Sequence, residues 1–170
     1  LAVQIARARG ARVIGTSSSD SKCRLIEELG AVAINYAETD WVQEVLALTD
    51  GKGAEVILES VGGEVLARSY REALADFGRL VVYGVASGNV ESIDNYEVIA
   101  SNKSLVGFWL GPHLANHHDR VAAAYERLVA MIRGEEIRLI VEKTFSLEQS
   151  VDAFEHLQGR KSVGKVVVTP

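Results

Sequence analysis

ARVIGTSSSDSKCRLIEELGAVAINY, residues Ala11–Tyr36, decides the fold. It opens on a nearly continuous apolar run, Ala11–Thr16, and closes on another, Val32–Tyr36. Between them Leu25, Ile26 and Leu29 recur at helical spacing, and Gly30 stands where such a helix would end. Strand, helix, strand is a βαβ unit. The same alternation continues downstream. Apolar runs recur at Glu55–Glu59 (EVILE), Arg79–Gly84 (RLVVYG) and Ser104–Trp109 (SLVGFW). Helical stripes fall between, one through Val42, Val45, Leu46 and Thr49, another through Leu66, Tyr70, Ala73 and Leu74. Gly51, Gly53 and Gly78 punctuate helix ends, where a left-handed residue is cheap. The first four strands lack the polar alternation of a half-exposed sheet, so they read as covered on both faces. The expectation is an α/β fold built on a doubly wound parallel sheet.

Outward from that core the pattern loosens. Upstream, Leu1, Ile5 and Ala8 mark one helix face without an N-cap residue, a helix that looks entered at its first turn. The expectation is that residues precede it. Val85–Ser101 reads as a loop with a short helix. Gly111-Pro112 reads as a break, followed by a long helix through Val121, Tyr125, Leu128 and Ile132 that Gly134 ends. Ser146-Leu-Glu-Gln149 has the spacing of a capping box, Leu147, Val151 and Phe154 form a stripe, and Lys165–Thr169 reads as a last strand. A soft boundary near Glu136 divides residues 1–136 from 137–170.

Composition narrows the function. The chain has 170 residues, 48% of them hydrophobic and 24% charged, which fits a globular domain with a sizeable core. No apolar run approaches the ~20 residues of a membrane span. Its one cysteine, Cys23, rules out an intrachain disulfide and a zinc site built on several cysteines. A net charge of −5 argues against nucleic acid as a partner. Residues 1–36 are nevertheless net positive, through Arg7, Arg9, Arg12, Lys22 and Arg24. An anionic small ligand and scattered solvated charge explain this equally well.

The tip of the Ala11–Thr16 strand carries the chemistry. Thr16-Ser17-Ser18-Ser19 and then Lys22 offer hydroxyls and an ammonium but no carboxylate at the tip itself. Such a set suits a phosphate, where an acidic residue would suit bare ribose hydroxyls. A serine-rich helix cap explains the same residues, and a helix N-terminus serves both purposes. His113 and His117 have i,i+4 spacing but no further ligands, so a polar loop-to-helix junction explains them better than zinc. Cys23 lacks a histidine dyad and reads as a helix residue. Glu27-Glu28 and Glu135-Glu136 read as solvated helix ends, and Met131 as core.

Taken together these segments resemble the medium-chain dehydrogenase/reductase superfamily, and within it the zinc-independent quinone oxidoreductases. The resemblance is carried by Val3-Gln4-Ile5-Ala6, Gly10–Thr16, Lys22, Leu29-Gly30-Ala31, Ile34-Asn35-Tyr36, Gly51-Lys52-Gly53, Glu59–Gly63, Gly78–Gly84 and Gly164–Val168, in order along the chain. It implies a Rossmann-type nucleotide-binding domain that lacks, in this sequence, its first strand and Gly-rich turn. It implies NADP(H) as cofactor and hydride transfer to a quinone or enone. Ser17, Ser18, Lys22 and Tyr36 would surround the adenosine 2′-phosphate. Ser60 and Val61 would lie beside the adenosine half, and Tyr83, Gly84 and Val85 beside the nicotinamide half. Phe108, Trp109 and Leu110 would meet the carboxamide. Residues 137–170 would return to a catalytic domain, so no catalytic residue is assigned. A zinc-dependent alcohol dehydrogenase of the same superfamily and a non-catalytic nucleotide-binding module are the rivals. A methyltransferase usually wants an acidic residue where Ser17 stands. The resemblance also implies a cytoplasmic homodimer joined through the apolar edge strand Ser104–Trp109, which has no Lys or Pro to guard it.

Overall fold

The computed structural model describes residues 1–159 and 162–170. From the N-terminus the chain forms α1 (Ala2–Ala8), β1 (Ile14–Ser17), α2 (Asp20–Glu28), β2 (Val32–Asn35), α3 (Trp41–Leu48) and β3 (Ala54–Glu59). α4 (Gly63–Arg68) runs into a π-helical turn, Ser69–Ala73, and then β4 (Leu74–Val82). α5 (Asn95–Ser101), β5 (Ser104–Gly107), α6 (Leu110–Asn116) and α7 (His118–Arg133) follow. β6 (Val141–Ser146), a 3₁₀ turn at Leu147–Gln149, α8 (Ser150–Gln158) and β7 (Lys165–Thr169) close the chain. Two compact units result, one of residues 1–37 with 124–170, the other of residues 38–123.

In the first unit β1 and β2 pair in parallel from Ile14↔Val32 to Ser17↔Asn35, with α2 as their crossover. Gly15 lets α2 lie close, because a Cβ there would stand 2.9 Å from Ile26 Cγ2. Ala31, Ile34 and Cys23 are buried. The α1 side chains are used as connectors. The Gln4 amide both donates to the Arg138 carbonyl (3.0 Å) and accepts from the Arg138 N–H (2.8 Å). β6 and β7 form a second parallel pair around buried Phe145 and Ala153. The capping box at Ser146 and Gln149 is present, and β7 has the expected bounds.

In the second unit β3, β4 and β5 form one parallel sheet in that order. Leu66, Tyr70, Leu74 and Leu80 make its core, with Ile57, Val82, Ile93 and Val98 packed against them. All pairings among the described strands are parallel, as expected, but these residues do not cover the strands on both faces: Val56 and Leu58 of β3 are 56% and 53% exposed.

Several local expectations are corrected. The Ala11–Thr16 strand is ordered as β1 only from Ile14, and Arg79–Gly84 belongs to a strand that starts at Leu74. The stripe Leu66–Leu74 is helical only to Ala73, and its last residue opens β4. Register then shifts, from Ala54↔Leu74 to Val56↔Arg79, so β4 carries extra residues as a bulge between the two pairings. Gly78 is therefore no helix end. It lies inside β4 at this bulge, where a Cβ would meet the Ala75 carbonyl at 2.7 Å. The left-handed residue is its neighbour Phe77, at φ 59°. Gly111-Pro112 is no break either. It sits in the first turn of α6, whose N–H groups have no helical partner to lose.

Candidate functional site

In parallel α/β sheets ligands gather at the carboxyl ends of the strands. In the first unit that end is built by β1 and β2. Ser17 closes β1 and is 8% exposed, while Ser18 is exposed. The Tyr36 N–H donates to the Ser17 carbonyl at 2.9 Å, extending the ladder by one bond and setting Tyr36 beside Ser17. The Tyr36 ring stays 40% exposed. Lys22 lies in the first turn of α2, and its N–H bonds the Ser19 carbonyl at 3.1 Å. Ser17, Ser18, Lys22 and Tyr36 are thus gathered at one strand end. Ser19 is the N-cap residue in extended backbone, yet its hydroxyl makes no capping bond and instead meets the Ser21 hydroxyl at 3.3 Å. Capping alone does not account for this serine run.

One acidic group at this end escaped the sequence reading. Asp20 opens α2, and its Oδ1 accepts from the Asn35 amide at 2.9 Å. That bond ties the first turn of α2 to the end of β2. The signal was available, since Asp20 lies between the serines and Lys22.

The second unit presents the carboxyl ends of β3, β4 and β5. Glu59 ends β3 and is 3% exposed. Its Oε1 accepts the N–H groups of Val61 (2.5 Å) and Gly62 (2.9 Å). The carbonyls of the same turn accept from the segment after β4: Tyr83 bonds Glu59 at 2.9 Å, Ala86 bonds Ser60 at 2.8 Å and Ser87 bonds Val61 at 2.9 Å. Gly84 faces Ser60 so closely that a Cβ would stand 3.0 Å from the Ser60 carbonyl. Ser60, Val61, Tyr83, Gly84 and Val85 therefore form one continuous rim. The Phe108 N–H extends it by bonding the Val82 carbonyl at 2.8 Å. Trp109 is the N-cap residue of α6 and Leu110 its first residue, and both are exposed. Glu59 is the residue that sequence reading missed. A carboxylate ending the apolar run Val56–Leu58, three residues before a pair of glycines, was its signal.

Each unit thus presents its own strand ends: hydroxyls and an ammonium at the end of β1 in the first, and a rim of bare backbone after β3 and β4 in the second. A family model described as zinc-binding dehydrogenase matches residues 1–142. The chain belongs to that family. Quinone oxidoreductase-like protein 2 of Mus musculus is 34% identical over 162 residues, spanning 94% of this chain and 45% of the relative. Quinone oxidoreductase of Pseudomonas aeruginosa is 33% identical over 173 residues, spanning 99% and 52%. Among solved structures, Escherichia coli quinone oxidoreductase complexed with NADPH matches with a TM-score of 0.88 at 27% identity, over 99% of this chain and 52% of that one. The chain thus spans about half the length of the curated relatives it matches.

The family description mentions zinc, and the described residues do not fit it. Among them no group of three or more His, Cys, Asp or Glu stands close enough to share a metal ion. His113 is used otherwise, stacked on Phe108 with centroids 5.1 Å apart and tilted against His117 at 5.7 Å.

Proposed function

We propose that this chain is the NADP(H)-binding part of an oxidoreductase that passes hydride to a quinone or to the β-carbon of an enone. The serine-and-lysine end of β1 carries the reading. Its hydroxyls are not consumed by capping α2, and Lys22 adds a positive charge at the same end, a donor set that suits a 2′-phosphate. Kinship to quinone oxidoreductases, one of them solved with NADPH, supports it. When bound, the cofactor supplies the hydride, and the reduced acceptor takes a proton from solvent or an acidic group. Residues Ser17, Ser18, Lys22 and Tyr36 would bind the adenosine phosphate, and Ser60 and Val61 the rest of the adenosine half. Tyr83, Gly84, Val85, Phe108 and Leu110 would orient the nicotinamide half. Residues 137–170 would pack on a second domain that brings the acceptor. Exposed Leu147, Val151 and Phe154 on one side of the α8 region favour such a covering.

The reading extends to a two-fold dimer through β5 and to the cytoplasm. All four β5 residues are exposed, and β5 has one partner strand, β4, among the described residues. No described helix is long and apolar enough to cross a membrane. Calorimetric titration of the full-length protein with NADPH and NADH, alongside reduction of a small quinone, tests the proposal. Micromolar or tighter NADPH binding with quinone turnover is expected. No binding of either dinucleotide overturns it.

A further inference from the structure

We infer that Glu59 is a positioning residue, which holds the turn Ser60–Gly62 in the one shape that can receive the nucleotide. The inference rests on the nucleotide-binding reading and deepens it, because Glu59 itself touches no ligand in that reading. A carboxylate at the end of an apolar strand, 3% exposed, is an expensive choice for a place that a leucine would fill. Its arrangement shows what it does. Oε1 gathers two backbone N–H groups at once, those of Val61 and Gly62. Oε2 is buried and has no hydrogen-bond partner among the described residues. Half of the group's accepting capacity is thus left unmatched, so generic solvation of a charge does not explain its burial.

The turn is gripped from both sides. The side chain of Glu59 takes its N–H groups, while the N–H groups of Tyr83, Ala86 and Ser87 take its carbonyls. Two adjacent N–H groups converge on one side-chain oxygen, so the reach of Glu59 fixes both residues of the turn at once. Gly62 completes the fit at φ 79°, where a Cβ would stand 2.8 Å from the Asn89 carbonyl. Release of the Glu59 jaw would shift Ser60 and Val61, and through three backbone bonds it would shift Tyr83–Val85. One side chain would therefore govern the stations of both cofactor halves within this unit.

Three variants of the full-length protein test this. Glu59→Gln keeps an acceptor of the same reach, Glu59→Met keeps the volume without an acceptor, and Glu59→Asp keeps the charge but falls short of both N–H groups. Two readouts are used: KM for NADPH against kcat, and amide hydrogen exchange at Val61 and Gly62 in the nucleotide-free protein. Glu59→Gln should stay within about threefold of the parent in both. Glu59→Met should raise KM for NADPH about tenfold or more with kcat within threefold, and should speed exchange at those two amides. If Glu59→Met fails to fold, Glu59→Asp takes its place with the same direction of change. Parent-like KM and exchange in the variants that lack the reach overturn the inference while leaving the nucleotide reading intact. So does a Glu59→Gln variant that fails as badly as Glu59→Met. A parent that binds neither NADPH nor NADH overturns both.

Discussion

Lys22 is a single ammonium on the first turn of α2, beside a serine run whose N-cap hydroxyl caps nothing. If that set holds a 2′-phosphate, each charge-assisted contact contributes ~1.5–3 kcal/mol, so a tenfold or greater preference for NADPH follows. Lys22→Ala should weaken NADPH about tenfold and leave NADH nearly unchanged. Ser17→Asp should go further, repelling the phosphate and offering a carboxylate to the ribose hydroxyls, so that preference moves toward NADH. Dissociation constants for both dinucleotides at two ionic strengths check this, because a half-exposed anion site is screened by salt. Equal affinities unmoved by either change would show that the serine run binds no phosphate. Gly62 makes a second prediction at this scale. Its φ of 79° and ψ of −170° fall in a region essentially reserved for glycine. Gly62→Ala should cost about 1–3 kcal/mol and lower Tm by roughly 2–10 °C in a thermal melt.

At the scale of elements, ion pairs fasten loops to the sheet of the second unit. Arg71 grips Glu97 through two bonds, at 2.7 and 3.0 Å, and also donates to the Ser92 carbonyl at 3.1 Å. Glu97 is at the same time the N3 residue of a capping box with Asp94 that starts α5. The Arg71 hydrogen bonds hold the Glu97 carboxyl below its ordinary value. Its folded pKa is depressed, so its stabilisation is present above the unfolded value of ~4.3 and is lost as pH falls through the folded value. Arg71→Ala should therefore lower Tm near neutral pH, and the gap to the parent should narrow as pH is taken from about 6 to about 3. A gap that stays constant over that window would exclude the pairing as the cause.

This scale also shows what the sequence could and could not disclose. β1, β2, β3 and β5 were legible because apolar runs bounded by glycine have few other uses in an α/β chain. β6 was not, since of Val141–Ser146 only Phe145 is buried and no apolar run exists to be read. The helical stripe Leu66, Tyr70, Ala73 and Leu74 named four residues that are all buried, yet Leu74 is in a strand. Burial was correctly read and backbone was not, because a π turn can deliver the same side chains to the same core. At the candidate site, the serine run and Lys22 stood out by residue chemistry and Tyr36 by resemblance alone, and the ends of β1 and β2 bring them near one another. Glu59 could be noticed as a carboxylate at a strand end, but its role could not, because its partners are backbone N–H groups, which leave no mark in a sequence.

At the scale of the whole molecule, β5 poses the question of assembly. Its four residues are exposed, and Trp109 just beyond them is 77% exposed. Phe108 and Leu110 are exposed beside it. On a strand paired to β4 alone among the described residues, this leaves a row of backbone N–H and C=O groups flanked by apolar side chains. Monomers guard such an edge with charge, proline or a bulge, and Ser104-Leu105-Val106-Gly107 carries none of these. A second copy of the same strand, antiparallel about a two-fold axis, would satisfy both edges with identical surfaces. The full-length protein should therefore sediment as a dimer at micromolar concentration. Val106→Lys should shift it toward monomer, because two lysines would meet close to the axis and repel across the new ladder. Binding of NADPH at the β1 end should survive in that variant, since Ser17 and Lys22 belong to the other unit. Sedimentation velocity and a binding titration on the same preparation check both halves. A parent that sediments as a monomer at every concentration sinks the edge pairing and leaves the cofactor reading standing.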